Sequence, residues 1–473
     1  MPMPYFKPPA RAATATLPAG TPHRTIGLRQ AIALIVGVVI GAGIFKSPSM
    51  VAGMTGDAGW MFAAWALGGA MSIVGALCYA ELCTTYSHTG GDYHFLDRAY
   101  GRSVSFLFAW ARFSVISTGS IALLAFVFGD YLQQVLPLPV GSRDAGAALY
   151  AGSAIVLLTW INLYGIRTGL STQSWLTLVE IGGLLLIVLA AFALSGGAAP
   201  APAPAPAQLP AAAQGGSFGL AMVFVLLAYG GWNEAAYISA ELRDGKRNMV
   251  RAMVFSLLVI TALYLAVTWA FWKGMGIAGM ARSDAIAADL LSMAFGPAGE
   301  SLVSAMIAIA ALTSINATVI VGARSSYAAG RDWPVLRRLG VWNEARGTPA
   351  NALRMQCIAA LLLVLAGAWN GDGFRSMVEF TAPVFWFFFL LSGLSLFVLR
   401  RRDPRRERPF RVPLYPLLPL LFCAMCAYML WSSLSYVYSQ SLGGWNAAWI
   451  GVAVLALGVL LLALMRGRGG RPS

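Results

Sequence analysis

The sequence predicts an all-α integral membrane protein of about twelve transmembrane helices, and three observations carry that expectation. Of its 473 residues, 58% are hydrophobic and only 11% charged, whereas a soluble domain carries about 25% charge. Apolar runs of about 20 residues, the length that crosses a bilayer, recur along the whole chain. Two of these runs are interrupted by glycine clusters: Gly37-Val38-Val39-Ile40-Gly41-Ala42-Gly43-Ile44-Phe45 and Ala228-Tyr229-Gly230-Gly231-Trp232-Asn233.

The interruptions are the most informative feature. A helix in lipid must satisfy its own backbone hydrogen bonds, so a break at membrane depth is tolerated where the freed groups line a protected cavity. At such a break, helix N-termini carry partial positive charge and C-termini partial negative charge, which suits a small zwitterion. Glycines that merely let helices pack closely are the alternative. Matching breaks in two halves of one chain favour the first reading and point to a secondary transporter.

Taken in order, the expected spans are roughly 27–54, 59–86, 104–133, 148–166, 172–195, 216–241, 250–272, 297–327, 350–369, 375–399, 412–438 and 445–465. The breaks fall in spans 1 and 6. An offset of five, an odd number, turns the second half upside down, giving an inverted five-plus-five repeat with spans 11 and 12 outside it. Residues 1–24 lack the apolar core of a signal peptide and contain Pro2, Pro4, Pro8, Pro9, Pro18 and Pro22, so they read as a disordered cytoplasmic tail. A ten-helix transport core follows over 25–399, then a basic loop at 400–411, helices 11 and 12 within 412–466, and a tail at 467–473. The Ala-Pro repeat at 198–206 reads as a stiff spacer.

The net charge of +14 does not indicate nucleic acid, because of where the charges lie. With the N-terminus inside, 27 of the 33 Lys and Arg fall in cytoplasmic tails, loops or helix ends, and four (Arg143, Lys273, Arg282, Arg375) fall outside. Lys46 and Arg112 lie within spans. This positive-inside bias puts both termini in the cytoplasm. The cluster from Arg400 to Arg411 anchors that topology, with lipid head groups a secondary ligand. Cys78, Cys83, Cys357, Cys423 and Cys426 lie in spans and read as buried free thiols. The three histidines His23, His88 and His94 form no metal-ligand spacing, and a proton relay through His88 and His94 is only weakly suggested. There is no Walker-type phosphate loop and no H-E-x-x-H. No cofactor, no metal and no enzymatic chemistry are therefore expected.

Several motifs now become recognisable. Ile40-Gly41-Ala42-Gly43-Ile44-Phe45 with Ser47-Pro48 resembles the first-helix motif of amino acid–polyamine–organocation (APC) transporters, especially the L-type amino acid transporter branch. Tyr79-Ala80-Glu81-Leu82, Gly90-Gly91-Asp92-Tyr93 and Ala99-Tyr100-Gly101 resemble that family's second span and following loop. Ala228 to Asn233 with Glu241-Leu242 and Lys246-Arg247-Asn248 resembles its sixth span and exit, and Arg408-Pro409-Phe410-Arg411-Val412-Pro413 its entry to span 11. The resemblance implies a leucine-transporter-like core with alternating access around a mid-membrane amino acid site. It places the substrate carboxylate at the broken first helix and the amino group at carbonyls of both breaks.

Backbone physics agrees with those roles. N–H groups at Ala42, Gly43 and Ile44 open the outer half of span 1 and suit a carboxylate. Carbonyls near Ile40 and Tyr229 end half-helices and suit an ammonium. Tyr229 and Trp232 are candidate pocket walls, and Asn233 either contacts substrate or braces the turn. Small polar residues in span 3 (Ser114, Ser117, Thr118, Ser120) and span 8 (Thr313, Ser314, Asn316) are candidate lining, since the family sets those spans beside the site. Leu227 stands where L-type transporters commonly carry a phenylalanine lid. Glu180 stands where many relatives carry a lysine in lieu of a sodium ion. Lys46, Glu180 and Glu234 are ionisable groups inside spans, which pair or serve function. Lys46–Glu180 and Lys46–Glu234 are both open as pairs, and Glu180 is a candidate for proton coupling.

The expected function is a plasma-membrane transporter, in the bacterial inner membrane, that moves small amino acids by exchange or ion-coupled symport. A polyamine or cationic amino acid carrier, with Glu234 as counter-charge, is the runner-up. A nutrient receptor or channel is the alternative of another class. The family's heteromeric branch links an accessory subunit through a cysteine after span 3. Residues 134–147 hold none, so no disulfide-linked partner is expected.

Overall fold

Each of the twelve stretches read as a span contains helix in the computed structural model. The structure describes residues 24–45, 47–140, 143–195, 218–283, 285–296, 298–370, 373–440 and 447–468. Lys46, most of the N-terminal tail, the Ala-Pro spacer and residues 469–473 lie outside them.

The first stretch is two helices, α1 (Leu28–Val39) and α2 (Ser47–Thr55), joined by a single 3-10 turn over Ala42–Phe45. Next come α3 (Ala58–Thr85), α4 (Asp92–Tyr100), α5 (Arg102–Ala111) and α6 (Thr118–Val135), the last two joined by a π-helical segment, Arg112–Ser117. Then follow α7 (Arg143–Tyr164), α8 (Ile166–Ser195) and α9 (Phe218–Ala228). After α9 the chain again tightens into a 3-10 segment, Trp232–Ile238, before α10 (Gly245–Arg282). The remaining helices are α11 (Ile286–Phe295), α12 (Ala298–Asp332), α13 (Ala350–Asn370), α14 (Gly373–Arg402), α15 (Leu417–Gln440) and α16 (Ala447–Arg468).

Among the described residues, nine helices are long and apolar enough to cross a membrane, and three further apolar helices are shorter. Two helices, α4 and α11, had no counterpart in the hydropathy pattern. The polar sequence of α4 hides it from a search for apolar runs, because its helicity depends on what it packs against. Its buried residues Asp92, Tyr93, Phe95, Leu96 and Ala99 face the bundle, and it packs on α14 and α5.

The centre of the bundle is α12, which contacts α1, α6, α8, α11 and α13. Small residues let it and its neighbours approach closely, since lipid gives no hydrophobic drive for helix association. On α6 a β-carbon at Gly129 would lie 2.1 Å from the Ala147 carbonyl oxygen of α7. Two ion pairs close one end of the bundle. Glu81 accepts from Arg400 Nε at 2.8 Å and Nη2 at 2.6 Å, and also from the Val412 N–H at 2.7 Å. Glu241 accepts from Arg324 Nε and Nη2. Arg324, counted above with the charges of helix ends, is thus buried with a carboxylate rather than set out in water.

The α6–α7 contact is checkable. Gly129→Leu must push two backbones apart, an overpacking cost on the order of 3 kcal/mol. We expect a clear fall in the unfolding temperature of the purified protein in detergent. An unchanged temperature would show that the two helices do not meet at Gly129.

Candidate functional site

The two glycine breaks meet. Gly231 has a φ of 107°, a left-handed conformation, and a β-carbon there would lie 2.7 Å from Val38 Cγ1 and 3.2 Å from the Val38 carbonyl oxygen. Only glycine satisfies both demands without strain. A β-carbon on Gly43 would lie 3.4 Å from Ala228. Each break therefore packs on the backbone of the other.

The carbonyls freed at the breaks have partners from neighbouring helices. The Tyr264 hydroxyl, on α10, lies 3.1 Å from the Val39 oxygen and 3.0 Å from the Ala228 oxygen. It has one proton and donates to one of the two at a time, so it ties the end of α1 to the end of α9. The Ser314 hydroxyl, on α12, lies 3.2 Å from the Gly37 oxygen and 3.3 Å from the Ile40 oxygen and shares its one proton between them. Ser314, foreseen as pocket lining, thus braces the carbonyl end of α1. Tyr229 is buried, donates to the Trp65 carbonyl at 3.1 Å, and packs against Trp65 and Tyr264. Ile44 is fully buried, and Ala42 opens the 3-10 turn.

Trp232 lies in an aromatic cluster with Tyr79, Phe389 and Phe422, and its ring fills the space beside Gly75. Leu227, by contrast, is 55% exposed. Tyr264 and Trp65 were missed by sequence reasoning. The available signal for Tyr264 was a hydroxyl set within an apolar helix, a group that seeks a partner when buried.

A charged network lies one turn beyond the second break. Arg112 forms a two-point pair with Glu234, Nη1 to Oε1 at 3.2 Å and Nη2 to Oε2. Its guanidinium carbon sits 3.9 Å from the centre of the Tyr237 ring. Tyr237 donates to Asp92 Oδ2 at 2.8 Å, and Tyr79 donates to Oδ1. Glu234 therefore pairs with Arg112, and the open pairings of Lys46 fall outside the described residues. The signal for this pair was present, since Arg112 was one of two cations inside spans. Asp92, Phe108, Arg112, Ile116, Asn233, Phe385, Phe388, Phe389 and Ser392 line a cavity beside the network. Asn233 is buried there, and among the described residues neither its side-chain oxygen nor the buried Ser117 hydroxyl has a hydrogen-bond partner. The Thr118 hydroxyl donates to the Phe113 carbonyl of the π segment at 2.8 Å.

A polar stripe runs along α8. Thr177 donates to the Ala33 carbonyl at 3.0 Å, and Gln173 accepts from Asn316 at 2.8 Å. Asn316 in turn accepts from Asn162 at 2.7 Å. Glu180 continues this stripe, buried, and neither carboxylate oxygen has a hydrogen-bond partner among the described residues.

His88, in the loop after α3, and His94, in the first turn of α4, stack at 4.4 Å between ring centres. Burial pushes both below the usual histidine range, His94 to about 3 with help from the neighbouring His88. Neutral rings at physiological pH fit a packing role.

Comparison with known proteins follows the same line. The family profile described as amino acid permease matches residues 26–467. Human b(0,+)-type amino acid transporter 1 is 29% identical over 409 residues, covering 86% of this chain and 82% of that protein. The rat protein of that name is 30% identical over 408 residues, with coverage of 86% and 82%. Human large neutral amino acids transporter small subunit 2 is 29% identical over 423 residues, covering 86% and 76%.

Two measurements check this geometry. Arg112→Leu strands a buried carboxylate and should cost about 3–5 kcal/mol, read as a large fall in unfolding temperature. The double variant Arg112→Leu/Glu234→Leu should recover most of it, and an additive double variant would rule out the pair. The histidines set an acid limit. An unfolded His94 takes up a proton near pH 6.5, whereas the folded residue resists until about 3. Stability is thus full above pH 6.5 and declines as pH falls below it. His94→Gln should make the unfolding temperature less pH-dependent between about pH 7 and 4.5 than in the wild type.

Proposed function

The chain belongs to the amino acid permease family, and from that premise we propose that its two meeting helix breaks hold the transported amino acid. That it is a secondary amino acid transporter and not an enzyme follows from the family and its relatives. One observation supports the location. The breaks abut at Gly231–Val38 and Gly43–Ala228, and Tyr264 bridges their carbonyl ends, so one ligand of amino acid size reaches both.

In this reading, the leading N–H groups of the turn at Ala42, Gly43 and Ile44, which have no earlier turn to bond to, receive the carboxylate. Carbonyls near Ile40 and Tyr229 receive the ammonium, with Ser314 and Tyr264 holding them in place. Asn233 offers a side-chain oxygen to the ligand, and Tyr229 and Trp232 form walls. Ser117 contributes from the π segment and Thr118 from the start of α6. The substrate is a small neutral amino acid. The pairing of Glu234 with Arg112 argues against Glu234 as counter-charge for a cationic substrate or polyamine. Transport is alternating access, twelve spans with an inverted ten-helix core, both termini in the cytoplasm and the protein in a bacterial inner membrane. The human relative large neutral amino acids transporter small subunit 2 is named a small subunit. Without a cysteine in residues 134–147, this chain works without a disulfide-linked partner.

Glu180 is the proposed coupling residue. It is buried and unpartnered among the described residues, and a carboxyl group that exchanges a proton in step with substrate couples transport to a pH gradient.

Countertransport in proteoliposomes tests both proposals. Gly43→Leu places a branched side chain between the breaks and should abolish uptake while the protein still inserts and folds. Normal uptake by that variant would move the substrate elsewhere. Glu180→Gln should retain amino acid exchange and lose accumulation driven by an imposed pH gradient. Wild-type accumulation indifferent to that gradient sinks the coupling role and leaves the exchange reading intact.

A further inference from the structure

We propose that the cleft between α1 and α10 binds one anionic phospholipid, with an acyl chain in the cleft and the head group at its basic end. The cleft is lined by Leu28 and Ile32 of α1 and by Val250, Arg251, Val254, Phe255 and Leu258 of α10. It holds about 880 Å³ of empty space, counted out to its open mouth. Every lining residue but one is apolar. Phe255 and Leu258 are more than half exposed, although both lie within a helix fit to cross the bilayer.

Arg251 is the exception, and it marks one end. Arg251, Val254, Phe255 and Leu258 follow at three, four and seven residues, one face of a helix. The apolar part of that face runs about 10 Å beyond the arginine by helix rise. Other cations gather at the same end. The segment before α1 pairs with the segment before α10: the Ile26 N–H donates to Glu241 at 3.0 Å and the Arg243 N–H to Ile26 at 2.9 Å. This juxtaposition brings Arg24, Arg29, Arg243, Lys246, Arg247 and Arg251 together, all exposed. The acids nearby are Asp244, exposed, and Glu407, 3.6 Å from Lys246 and itself exposed. Glu241 is already taken by Arg324. A clear excess of positive charge remains at the mouth of an apolar cleft between helices, the arrangement that holds anionic head groups.

The charge decides the occupant. A helix of a second copy would bring this same excess of positive charge against itself, and an uncharged lipid would leave the arginines without a counter-ion. An anionic phospholipid satisfies both ends. Because α1 runs straight into the first break, a lipid seated there also braces a helix of the transport site.

The test uses the full-length protein in detergent, with unfolding followed by tryptophan fluorescence and bound lipid counted by native mass spectrometry. Phosphatidylglycerol should raise the unfolding temperature several degrees more than phosphatidylcholine, and inorganic phosphate should have no such effect. Arg251→Gln should lose that excess while retaining its own unfolding temperature in detergent alone. Leu258→Trp, which fills the cleft, should lose the retained phosphatidylglycerol seen by mass. Equal shifts for both lipids, or an undiminished excess in Arg251→Gln, overturn the proposal. So does a lipid-free dimer that Leu258→Trp disrupts, because a second copy then occupies the cleft. Should Leu258→Trp fail to fold, Ile32→Phe fills the cleft from α1 and carries the same two outcomes.

Discussion

Everything at the centre of this protein follows from one constraint: a polypeptide interrupted inside a membrane must find new partners for the backbone groups it frees. Water offers none in the hydrocarbon region, and each orphan costs several kcal/mol. The chain meets this demand with two hydroxyls. Tyr264 serves Val39 and Ala228, and Ser314 serves Gly37 and Ile40. The glycines allow the interruptions, and these hydroxyls make them tolerable. The same hydroxyls come from α10 and α12, so the geometry of each break is tied to helices outside it. A motion of α1 or α9 relative to α10 or α12 must exchange these bonds.

Buried charge is arranged on the same logic. Arg112–Glu234, Arg324–Glu241 and Arg400–Glu81 each join segments far apart in sequence. Burying an ion pair gains little net stability, because desolvation consumes most of the attraction. Their value lies in register: a bidentate arginine fixes the rotation of the helix that bears it. Two of the three pairs take their carboxylate from the stretch of residues 234–241 directly after the second break. That stretch is 3-10 at its start and has few main-chain bonds of a regular helix to hold it. Side-chain ion pairs do so instead. Glu180 stands apart from this pattern, a buried carboxyl with no such arginine among the described residues.

The sequence by itself determined the helical class, the approximate places of most helices, the two breaks and the family. These are encoded locally, because hydropathy over 20 residues, glycine at a tight turn and short motifs do not depend on distant residues. It also flagged Arg112 and Glu234 as charges where none is cheap. Only the tertiary structure decided that they pair with each other, that Ser314 holds a carbonyl, and that Tyr264 holds two ends together. It likewise decided that α4 is a packed helix despite its polar sequence, and that Trp232 is walled in by Tyr79, Phe389 and Phe422 while Leu227 is exposed. In each case the partners lie tens to hundreds of residues apart. The choice among candidate partners is set by which helix faces meet, and periodicity within one helix carries no information about its neighbour's rotation.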